Sequence, residues 1–197
     1  MDEENARPSD PMSSAGKTAR LCADVARKIE AISDDRGRLA ILRRGAGLSP
    51  GEAPEAWGVL LESFPEELME KQGAGGRYET AEYIALTSYA LSMQGSNRVQ
   101  PPKDVSIGKA CGMFAESAED PVKKRFDRLV LSTDTMDLAG RLAGMIRLLK
   151  GKGIQIDYVL LARQLVDWQN ENRREAVVMN WFRDFYRELN KKESESK

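Results

Sequence analysis

Apolar residues recur along this chain at intervals of three and four, the spacing that lines one face of an α-helix. Leu21, Val25 and Ile29 mark a helix over roughly 17–33, and Asp34 and Asp35 open a shorter one ending at Arg44. Pro54 suits the first turn of a helix carrying Trp57, Leu60 and Leu61. A long helix over roughly 78–94 places Ala81, Ile84, Ala85, Ser88 and Leu91 on one face. Further helices are expected near 106–117, 121–131, 134–150, 157–170 and 172–190. No segment alternates as a half-buried strand would, and no repeat period is visible. The pattern predicts an all-α fold, a helical bundle of about eight to nine helices with no significant sheet.

Boundary chemistry sharpens this. The stretch GSNRVQPPKDVS (95–106) is the clearest internal loop, because its double proline forbids helix. Asp134 is placed to cap a helix with Asp137 in its first turn, and Lys150-Gly151-Lys152-Gly153 closes that helix with cations and a left-handed glycine. Asp157 opens the next helix after a short link. The polar residues 1–16, unlike a secretory signal, and the final 191–197 are expected as disordered tails. One all-helical domain over 17–190 remains, which the 95–105 loop could divide into two lobes.

Composition changes the picture mainly by subtraction. With 41% hydrophobic and 31% charged residues, the chain has the balance of a soluble globular protein, and no apolar run reaches membrane-spanning length. Cys22 and Cys111 form no ligand spacing and are expected as reduced thiols in the cytoplasm. The 197 residues include no histidine, which removes Ser-His and Cys-His nucleophiles, most zinc sites and the usual general base near neutral pH. No enzyme, metal or cofactor is therefore expected.

Net charge is only −1, but it is unevenly spread. From Glu52 to Glu82, eight acids face Lys71 and Arg77. From Lys123 to Lys152, eight bases face Asp127, Asp134 and Asp137. Such asymmetry suggests a basic working face and an acidic one. On the 121–131 helix, Val122, Phe126, Leu129 and Val130 fall on one side at 100° per residue, while Lys124, Arg125 and Arg128 fall opposite, with only Asp127 near to offset them. Arg147 and Lys150 stand together off the Leu138/Leu142/Met145/Leu149 face, and Arg141 points elsewhere. Arg36, Arg38, Arg43 and Arg44 form an acid-free interval before Glu52. Two one-sign helix faces plus the Arg43-Arg44 pair point to a polyanion.

Other motifs carry less. SSAGKTA (13–19) ends like a phosphate-binding loop but has Pro11 where the first glycine belongs, and Gly108-Lys109 lacks the following hydroxyl. QGAGGR (72–77) fits a helix connection better than a phosphate cradle. Trp57, Trp168 and Trp181 sit among apolar residues at helical spacing and are expected in the core. The mixed signs over 172–184 suit a solvated face.

Taken together, LAILRRGAGLSPGEAPEAW (39–57), TAEYIALTSYAL (80–91), VSIGKAC (105–111), VKKRFDRLV (122–130), LAGMIRLLKGKGIQIDYVLLARQLVDWQ (142–169) and WFRDFY (181–186) resemble the CasB-type small subunit of the type I-E CRISPR Cascade complex. Members of that family often carry His and Gln where this chain has Ser92-Met93-Gln94. The resemblance implies an all-α, non-catalytic subunit of an RNA-guided antiviral complex. It would be present as a pair, touching backbone subunits, the large subunit, crRNA and the target or displaced DNA strand, and would stabilise the R-loop. Guide–target pairing would read the sequence, leaving backbone contacts to protein. The nucleic-acid-binding residues so expected are Arg38, Arg43, Arg44, Lys109, Lys124, Arg125, Arg128, Arg147, Lys150 and Arg163. A helical DNA-binding transcriptional regulator is the rival reading, with 134–150 and 157–170 as a helix–turn–helix. It would want polar base-reading residues where Tyr158-Val159-Leu160-Leu161 stand.

Overall fold

The TAEYIALTSYAL segment belongs to a helix that is buried almost all the way round. In the computed structural model, which describes residues 12–70, 75–95 and 100–195, this helix is α4 (Arg77–Ser92), with every residue from Tyr78 to Ser92 buried except Thr80. A helix apolar on all sides belongs inside other helices, and the single-face pattern expected for it understates its burial. Around it lie α1 (Ser14–Ile32), α2 (Arg36–Arg44), α3 (Pro54–Leu61), α7 (Thr135–Gly151) and α8 (Tyr158–Trp168), all packed directly against it. The remaining helices are α5 (Ile107–Phe114), α6 (Pro121–Val130) and α9 (Glu171–Glu195), and a single 3-10 turn covers Glu66–Leu68. The fold is an all-α bundle, with no strand among the described residues.

Local chemistry sets the helix starts. Asp35 accepts from the Arg38 backbone N–H at 2.9 Å, Asp120 from Val122 at 2.8 Å, and Asp157 from Leu160 at 2.9 Å. Asp134 caps both Met136 and Asp137, and Gly153 ends that connection at φ +70°. Gly16-Lys17-Thr18 lies inside α1, where Ser13 caps Gly16 and Thr18 bonds back to the Ser14 carbonyl, so it forms no phosphate loop.

Two expected boundaries move. Helix α1 begins within the stretch expected as an N-terminal tail, and α9 continues to Glu195 through most of the expected C-terminal one. The rest of those tails (1–11 and 196–197), residues 71–74 of the glycine-rich connection and 96–99 of the loop lie outside the described residues. One hydrophobic core runs through both sides of the 95–105 loop, since α1 and α4 before it pack on α8 after it.

The tight approach of α5 to α9 is made possible by two glycines one turn apart. A Cβ on Gly108 would stand 2.0 Å from the Trp181 carbonyl oxygen, and one on Gly112 would stand 2.4 Å from that of Phe185. Both obstacles are backbone and cannot rotate away. Gly108→Ala should cost about 1–3 kcal/mol, although alanine is the better helix former. Urea unfolding reads the difference, and a midpoint at or above wild type would refute this packing.

Candidate functional site

Asp120 and Pro121 start α6 so that Val122, Phe126, Leu129 and Val130 enter the core. That register leaves Lys124, Arg125 and Arg128 on the outer side of the helix, away from that face. Asp127 does not offset them. It pairs with Lys123 at 2.6 Å, and Lys123 Nζ also lies within 5.7 Å of the Tyr186 ring centroid and 5.8 Å of that of Phe182. Lys123 is thereby engaged in fixing α6 to α9, and the other three bases keep their charge for solvent.

Four residues, 131–134, turn the chain into α7, whose outer face meets that of α6. Between them runs an open groove of about 450 Å³, walled by Arg125, Arg128, Arg141 and Arg147. Its floor is Gly144, Met145 and Leu148, and none of its described lining residues is acidic. Arg141, which helical geometry alone points elsewhere, therefore belongs with this group. Its Nε donates to Asp137 at 2.6 Å and its Nη1 to the Arg128 carbonyl at 3.0 Å, in the last turn of α6, where carbonyls lack partners within the helix. This strap fixes the spacing of the groove's two walls, and the Arg141 bond holds the Asp137 carboxyl below its ordinary value.

The α2 arginines form a second patch with a different character. Arg43 is half-buried, with no ion pair among the described residues. Arg44 and Arg38 are not unpaired as the sequence interval suggested: Arg44 reaches Glu55 at 2.8 Å, and Arg38 reaches Glu62 at 2.9 Å. Both pairs are largely exposed, with side-chain exposures of 64% and 71% for Arg44 and Glu55. Pairs of that kind are worth about 0–1 kcal/mol, so a phosphate can compete for the guanidinium.

The break after Arg44 has a packing cause. Tyr83, stacked on Trp57 at 4.6 Å, donates its hydroxyl to the Gly45 carbonyl at 2.7 Å. Any side chain at Gly45 would collide with that hydroxyl, 2.5 Å away. Burial pushes the Tyr83 phenol up to about 12, which keeps it a donor throughout ordinary pH. Two residues on, Gly47 adopts φ +83°, and a Cβ there would stand 3.1 Å from the Cα of Gly140. The loop behind Arg43-Arg44 thus touches α7 one residue before Arg141.

The remaining expected residues are scattered. Lys150 is half-buried in the last turn of α7, where it complements the helix dipole. Lys109 lies half-buried on α5. Arg163 is exposed on α8, near enough to Cys22 of α1 to favour its thiolate, although burial wins and raises the thiol. None of these three lines the arginine groove.

The helix–turn–helix alternative finds no support at its recognition position: Tyr158 and Leu161, opening α8, are each 1% exposed. No group of side chains that could hold a metal occurs among the described residues. No described helix is long and apolar enough to cross a membrane.

The model of the family described as CRISPR-associated protein Cse2 matches residues 38–186. Among solved structures, CasB from Thermobifida fusca aligns at 27% identity and a TM-score of 0.65, covering 86% of this chain and 97% of that one. A chain of a CRISPR RNA-guided surveillance complex aligns at 16% identity and a TM-score of 0.65, covering 91% and 99% of the two chains. A chain of a pre-nicking CRISPR RNA-guided surveillance complex aligns at 19% and 0.64, covering 92% and 98%. At the latter two identities the likeness is one of fold. No curated protein matches as a relative.

Proposed function

Because the chain belongs to the CRISPR-associated Cse2 family, we propose that it is the non-catalytic small subunit of a type I-E Cascade complex and holds opened target DNA by its phosphates. In this role it works in the cytoplasm as one of a pair, beside the backbone and large subunits, crRNA and a DNA strand. The observation that carries the reading is the groove between α6 and α7, where four arginines converge without an acid among the described lining residues. Guanidinium forks match phosphate oxygens and carry no preference for base identity. That division of labour suits a particle whose guide does the reading.

The test is a salt series on single-stranded DNA of two unrelated sequences. Arg128→Ala or Arg147→Ala should weaken binding to both alike. Each should reduce the slope of log affinity against log salt by about 0.7 for every phosphate that the arginine had neutralised. Arg128→Glu should cost more than the alanine variant, because it adds repulsion. Stability should hold, since both side chains line an open groove rather than the core. Slopes and affinities equal to wild type would place the groove against protein or solvent and end this reading.

A further inference from the structure

Phosphates need cations but gain nothing from an apolar floor, and this groove has one. Met145 and Leu148 lie between its arginine walls, beside a mid-helix glycine. Gly144 is not demanded by packing: a Cβ there would meet nothing within 4 Å. It stands in the interior of α7, where glycine is a poor helix former. Its effect is to keep the floor open between Arg141 on one side and Arg147 on the other. Gly108 and Gly112 have backbone neighbours that explain them, whereas Gly144 has none.

Planar guanidinium groups offer faces as well as forks. An unstacked base can lie against a guanidinium plane with its ring on apolar carbon, while the neighbouring guanidinium groups take the phosphates on either side. The volume of about 450 Å³ falls in the range of small-ligand clefts. A duplex, whose bases are stacked inside, presents only phosphates here and leaves the floor unused.

We propose that the α6–α7 groove receives an unstacked base of a single strand, between Arg125 and Arg128 on one wall and Arg141 and Arg147 on the other, with Gly144 keeping the floor clear. The inference rests on the phosphate-binding reading above and adds to it a site for the base itself. Stacking tolerates any base, so the site selects single strands over duplex without selecting sequence.

The experiment compares full-length protein and Gly144→Leu on oligothymidylate and on an abasic oligomer with the same number of phosphates. Wild type should bind oligothymidylate about tenfold more tightly, near the lower end of what stacking one base provides. Gly144→Leu should lose that preference, because leucine fills the floor on which the base would lie. Its melting temperature should not fall, as leucine is a better helix former in open space. Equal wild-type affinity for the two oligomers overturns the base site and leaves the phosphate reading standing. A Gly144→Leu protein that keeps the full preference also overturns it. Wild type binding neither oligomer overturns both readings.

Discussion

Trp168→Ala is expected to cost about 3–5 kcal/mol of unfolding free energy. Trp168 ends α8, is 0% exposed and lies under α9. Its ring carries the Arg174 guanidinium at 4.2 Å, and Arg174 Nε also donates to the Trp168 carbonyl at 3.0 Å. The indole Nε1 has no hydrogen-bond partner among the described residues, so truncation forfeits no bond there. The variant gives up ring burial, the cation–π interaction and the packing of the α8–α9 corner. Arg174→Ala separates these effects: it should cost only about 1 kcal/mol if the cation's share is minor. Urea unfolding with matched slopes measures both. A Trp168→Ala midpoint within error of wild type would mean that the ring is not a core element.

The features legible in the sequence are those governed by neighbours a few residues away. Asp35, Asp134 and Asp157 announce helix starts because a carboxylate reaches only the next turn's N–H groups. The apolar stripe of α6 is equally plain, and with it the outward placement of Lys124, Arg125 and Arg128. Features set by distant partners are hidden. Gly108-Lys109 looks like a failed phosphate motif, and its glycine is explained only by the Trp181 carbonyl. Arg38 and Arg44 look unpaired because Glu62 and Glu55 lie beyond the acid-free interval and return only when α3 folds back on α2. The angle of its Cα on the helix sets Arg141 apart from the basic face. A long side chain is not bound by that angle, and this one crosses to the α6 carbonyl. Core charges leave a mark in the pattern too, although Glu82, counted above toward an acidic face, is 0% exposed. Asp24 and Lys28 interrupt the stripe of Leu21, Val25, Ile29 and Ile32, and Glu82 stands inside an otherwise apolar and small-residue run. Charges at core positions mean buried pairing.

That buried cluster carries the second large expectation, because α1, α3 and α4 meet on it. Lys28 is 5% exposed, Asp24 1% and Glu82 0%. The ammonium donates to Glu82 Oε1, lies 3.1 Å from Asp24 Oδ2, and donates to the Leu60 carbonyl at 2.8 Å. Burial pushes the Glu82 carboxyl up to about 7 against the lowering effect of Lys28, and Asp24 raises it further. A proton on Glu82, directed at Asp24, would satisfy Glu82 Oε2 and Asp24 Oδ2, which otherwise lack hydrogen-bond partners. The folded value lies above the ordinary 4.5, so the folded chain holds a proton that the unfolded chain has released between those limits. The resulting stabilisation is complete below 4.5 and disappears as pH rises through about 7. Lys28→Met removes the cation that touches Glu82 while keeping the stem. It should cost about 3–5 kcal/mol near pH 8, where Glu82 must either ionise without a partner or hold its proton against the pH. Near pH 5 the loss should be clearly smaller, because Glu82 is then neutral. Lys28→Met combined with Glu82→Leu should recover part of the stability at the higher pH, since it removes the Glu82 orphan while Asp24 keeps Arg27 at 2.6 Å. Thermal unfolding of the three proteins across that range decides it. A Lys28→Met penalty that does not change with pH would mean that Glu82 keeps an ordinary carboxylate.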